Sequence, residues 1–141
     1  MRTTGKGRAR RLAMVVPLLI SGASAGHASD DDVIEAGRAD FERHCAVCHG
    51  VDATGTGPLT EYLIRKPADL TVIAQNYGGR FPFDRVAAVI DGRADVAAHG
   101  PREMPVWGYR FSATPDRAEG THSAEERITA IATYLKALQK R

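Results

Sequence analysis

The sequence predicts an all-α domain of three to five helices. Apolar residues recur at helical spacing toward both ends of the region after residue 28, and no convincing run of alternating strand residues is present. The only two cysteines stand three residues apart, within reach of one helical turn, and a histidine follows the second directly. This stretch, Cys45-Ala46-Val47-Cys48-His49, concentrates the chain's chemistry.

The 141 residues bound the chain to one domain, and residues 1–28 are expected to stand outside it. Arg2, Lys6, Arg8, Arg10 and Arg11 form a basic leader, Leu12 to Ile20 is a mainly apolar run, and small residues follow through Ala28. That is the layout of a secretory signal, with cleavage expected after Ala28 and Ala25 as the alternative. The apolar run of nine residues is well short of the ~20 that span a bilayer. Residues 29–141 then form the mature domain. The whole chain has 19 basic and 17 acidic residues, but five basic and no acidic ones lie in 1–28, leaving 14 against 17, a net of −3. The basicity belongs to the signal and gives no support to nucleic-acid binding.

The first helix is expected over residues 33–44, where Val33, Gly37, Phe41 and His44 recur at helical spacing behind the acidic Asp30 to Asp32. Glycine at position 37 suits a close crossing by another helix. Directly after comes the cysteine pair. Its spacing is that of c-type haem attachment, with one thioether from each thiol and the adjoining imidazole as an axial iron ligand. A thioredoxin-like motif would want a preceding strand, and a zinc site would need two further ligands from scattered histidines. Export would also allow a disulfide, but His49 and a later methionine favour haem.

Gly50 to Leu59 reads as a loop, and its glycines lack the lysine-serine or lysine-threonine pair of a phosphate loop. Pro58, with a carbonyl and no N–H, is the candidate partner for the second imidazole nitrogen of His49. Asp69 is expected to cap a short helix through Val72, Ile73 and Ala74 that ends near Asn76 to Gly79. Arg80, just beyond, is a candidate for pairing with a haem propionate. A third helix is expected from Phe83 to about Gly92, with Phe83, Val86 and Ile90 in the core. His99 to Pro101 and Glu103 to Gly108 read as loop. Met104 is the only methionine after residue 28, and its thioether is the candidate sixth ligand, with His99 as the competitor. Trp107 and Tyr109 are candidates for packing on the haem edge. Residues 112–122 read as loop, and Ser123 with Glu126 forms a capping box for the last helix. Its stripe of Ile128, Ile131, Leu135 and Leu138 needs a partner, for which the first helix is expected.

This combination resembles the class I monohaem c-type cytochromes of exported bacterial proteins, over essentially all of residues 29–141. The resemblance is carried by Gly37 and Phe41, Cys45 to His49, Gly57-Pro58, Pro67 to Thr71, Met104 to Gly108 and Tyr134 to Leu138. It implies a small cytochrome c fold around one covalently bound haem c, with the terminal helices crossing near Gly37 and Tyr134. Cys45 and Cys48 would carry the thioethers, His49 and Met104 the axial ligation, and Pro58 the orienting carbonyl. The loop from Ala113 to His122 departs from the pattern.

The expected function is one-electron transfer through a six-coordinate haem between periplasmic or membrane-associated redox proteins, with no chemical substrate. Two alternatives stay open. One is a subunit of a larger oxidoreductase or oxidase complex, associated with a membrane respiratory system. The other is a haem enzyme or gas sensor with a displaceable sixth ligand.

Overall fold

The computed structural model describes residues 29–94, 104–113 and 122–140. The expected signal segment, His99 and residues 114–121 of the loop lie outside the described residues. Among the described residues there are six α-helical segments, two single turns of 3-10 helix and no strand, so the fold is all-α.

Helix α1 (Asp30–His44) begins three residues before the expected start because Ser29 caps it. The Ser29 hydroxyl accepts from the Asp32 N–H at 3.2 Å and the Asp32 carboxylate accepts from the Ser29 N–H at 3.0 Å. This reciprocal box places three carboxylates in the first turn, where the helix dipole favours them. The single turn α2 (Ala46–His49) follows after Cys45. At the far end of the chain, α6 (Ala124–Ala137) starts on the expected box, with Ser123 N–H donating to Glu126 at 2.7 Å and Glu126 N–H to Ser123 at 3.2 Å.

Helices α1 and α6 cross and form the main seam of the core. A methyl group on Gly37 would lie 2.0 Å from the Ala130 carbonyl oxygen, so only glycine lets the backbones come this close. One turn on, the rings of Phe41 and Tyr134 meet with centroids 5.5 Å apart. Phe41, Ile128, Ile131 and Leu135 are buried there together with Cys45. The cysteine that opens the attachment motif is therefore part of the core to which the last helix contributes.

Between these ends, Asp69 caps a 3-10 turn over Leu70–Val72 by accepting from Thr71 N–H at 2.8 Å, and α3 (Ile73–Asn76) continues from it. Gln139, just past α6, fastens this unit down. It accepts from Ala74 N–H at 2.8 Å and donates to the Leu70 carbonyl at 2.8 Å. Helix α4 (Phe83–Asp91) stops at Gly92, whose φ of 88° is the left-handed conformation glycine adopts without strain. Ile90 is buried as expected, whereas Phe83 and Val86 are only half-buried.

The loop readings over 103–108 and 112–122 are corrected at residues 107, 108, 112 and 113, which are helical. They belong to α5 (Trp107–Ala113), with Trp107, Gly108 and Phe111 buried. Packing makes this helix. A methyl on Gly108 would meet the Asp91 carboxylate at 1.8 Å, so the glycine that weakens helical propensity is what lets α5 dock on α4.

Candidate haem-binding cleft

One cleft of about 230 Å³ brings together most of the residues singled out in the sequence. His44, Cys45, Val47, Cys48 and His49 line it from the end of α1 and from α2, and Met104, Pro105, Trp107 and Arg110 line it from the start of α5. Leu59, Leu63, Arg65 and Pro67 complete the wall. Residues that are 55 apart in the chain, His49 and Met104, thus share one largely apolar enclosure.

The loop after His49 is shaped around α2. Gly57 N–H donates to the Cys48 carbonyl at 3.1 Å and Leu59 N–H to the Val47 carbonyl at 2.9 Å. Gly57 lies so close to that turn that a methyl on it would sit 2.5 Å from the Cys48 carbonyl carbon. This fixes residues 57–59 along the outside of the turn and leaves Pro58 exposed and outside the cleft lining. The Ala68 carbonyl oxygen is 3.2 Å from His49 Nδ1, in the orienting role for which Pro58 was the candidate. Leu70 N–H donates to the Ala53 carbonyl at 2.8 Å, and Gly55, whose added methyl would lie 2.3 Å from the Pro67 carbonyl oxygen, lets the two loops close. That closure carries Ala68 across the imidazole. With a carbonyl at Nδ1, the ring's proton belongs on that nitrogen and the lone pair on Nε2.

Arg80 stands apart from the cleft. It is exposed on the turn between α3 and α4 and does not line the cleft. The Arg80 N–H donates to the Tyr77 carbonyl at 3.4 Å, and the Gly79 N–H to the Ala74 carbonyl at 2.8 Å, which holds that turn at the surface. Among the described residues that line the cleft, the arginines are Arg65 and Arg110, and none is a carboxylate. Trp107 lies on the cleft wall, while Tyr109 is 75% exposed and turned away from the core.

The two cysteines differ. Burial, with the negative charge of Asp40 and the neighbouring Cys48 adding to it, pushes the Cys45 thiol up to about 12. Cys48 is half-buried. The donor set fits a covalently held haem: two thiols one turn apart, an imidazole oriented by a carbonyl, and a soft thioether on the same apolar cleft. Asp40 and Arg127, buried beside the site, went unnoticed in the sequence. Their only signal was a charged residue on each otherwise apolar helix face, at i−1 from Phe41 and i+1 from Glu126.

An all-α domain with crossed end helices and this donor set defines a small single-haem c-type cytochrome. The family model described as cytochrome c oxidase, cbb3-type, subunit III matches residues 32–135, and the chain belongs to that family. No curated protein and no solved structure matches it. As a member, the protein binds haem c covalently and takes part in haem-based electron transfer. No helix among the described residues is long and apolar enough to cross a membrane.

Proposed function

We propose that the protein is an exported electron carrier whose haem is tethered by Cys45 and Cys48 and ligated by His49 and Met104. The observation that carries this reading is the convergence of Cys45, Cys48, His49 and Met104 on one cleft. Haem c supplies the one-electron couple. The protein residues supply the rest. Ala68 holds the His49 ring in one tautomer, while Trp107, Leu59 and Leu63 keep water from the cleft. Arg65 and Arg110 offer charge to propionates in the role first assigned to Arg80. Removal of residues 1–28 would deliver residues 29–141 to the periplasm, where its partners are a reducing and an oxidising protein.

Intact-mass analysis with visible spectroscopy of the exported protein tests the reading. The expected mass is that of the chain from Ser29 plus one haem, and the ferric form should show a methionine-to-iron charge-transfer band. Met104→Ala should abolish that band and His99→Ala should leave it. An apoprotein mass, or an unchanged band in Met104→Ala, overturns the assignment.

The family description favours a second reading, in which the domain is an electron-transfer subunit of a cbb3-type oxidase. Co-purification with an oxidase from native membranes, against recovery in soluble extract, separates the two.

A further inference from the structure

Behind the cleft, three helices meet at a cluster of charge that the haem reading does not use. Asp40 on α1 and Arg127 on α6 are only 6% and 8% exposed. Arg127 Nε donates to Asp40 Oδ2 at 2.9 Å and its Nη2 donates to the other carboxylate oxygen, so the pair is bidentate. The same Nη2 is 3.1 Å from His44 Nε2. A guanidinium has donors only, so the imidazole accepts there and keeps its proton on Nδ1. The third helix is α5: the His44 ring lies 5.4 Å from the centroids of both Trp107 and Phe111, and the Arg127 guanidinium carbon is 4.0 Å above the Phe111 ring.

Such a pair is a poor way to gain stability, because burying both charges costs about as much as their attraction returns. What it does supply is a single permitted arrangement. The carboxylate and the imidazole belong to the segment running into Cys45, and the rings belong to the helix that begins three residues after Met104.

We propose that Asp40, Arg127 and His44 are positioning residues that lock α5 against the end of α1 and so hold the Met104 thioether opposite His49. The proposal rests on the reading of Met104 as a ligand. Trp107, the first residue of α5, packs on His44 and lines the cleft three residues after Met104, so the seating of α5 on this cluster bears on where the thioether enters the cleft.

Imidazole competition against the methionine band of the ferric holoprotein tests it. In the double variant Asp40→Leu/Arg127→Met, both charges are replaced by apolar groups, so no lone charge stays buried. His44→Ala alters a side chain already 25% exposed and leaves the ion pair in place. Both should lose the band at about tenfold lower imidazole than the unaltered protein, the scale of a broken coupling between packed groups. Haem content and helical circular dichroism should be unchanged. Ile131→Val, in the same seam but outside the cluster, should titrate like the unaltered protein. If the double variant fails to fold, His44→Ala decides. Unchanged imidazole affinity in the folded variants overturns the proposal alone. A missing band in the unaltered protein overturns the ligand reading and the proposal with it.

Discussion

At the scale of single residues, close approach decides more than chemistry does. Gly37→Ala would drive a methyl into the Ala130 carbonyl at the crossing of α1 and α6. Helix propensity alone would favour alanine, so the two effects oppose each other. Overpacking wins, and the variant should lose about 1–3 kcal/mol of stability, measured by denaturant unfolding of the holoprotein. The sequence drew attention to Gly37, which the helix crossing requires, and to the cysteine pair and Met104, which share the cleft, because each has a distinctive residue type at a telling place. Pro58 and Arg80 were singled out by the same logic, and both lie exposed outside the cleft lining. Which carbonyl reaches His49 depends on how two loops close through Gly55 and Leu70, a three-dimensional outcome that no local pattern encodes.

Elements were legible where they carry their own signals. The Ser123 and Glu126 box marks α6, and Gly92 ends α4, because caps answer to local hydrogen bonding. Helix α5 was not legible, since Gly108 argues against it and its stability comes from Asp91, His44 and Arg127 on neighbouring helices. The turn from Asp69 to Asn76 is another element held from outside. Gln139 bonds to Ala74 and Leu70 within it, and Lys140 N–H donates to the Thr71 carbonyl at 2.8 Å. Gln139→Ala should cost about 1–3 kcal/mol, because it strands a backbone donor and an acceptor in a half-buried site. Hydrogen exchange of the amides in residues 70–76 should rise while those of α1 stay protected. Uniform protection in the variant would show that the turn holds itself.

For the whole molecule, size sets the dependence on haem. The family match spans residues 32–135, a small domain, and part of its apolar surface faces a cleft instead of another helix. Replacing both thiols, Cys45→Ala with Cys48→Ala, should therefore leave a chain with a lower thermal midpoint and weaker helical dichroism than the holoprotein, since a ligand bound only by the folded state stabilises it. A double variant that melts like the holoprotein would show that the protein scaffold folds without the tether.

The seam between α1 and α6 also sets an order in time. Asp40 and Arg127, whose ion pair spans it, are 87 positions apart. At a synthesis rate of about 5–20 residues per second, the second partner is made roughly 4–17 s after the first. Throughout that interval Phe41 has no Ile128 or Ile131 to pack on, and the core that includes Cys45 is incomplete. Cys45 belongs to a core that is complete only once α6 is in place, so the fold closes around its own attachment point late.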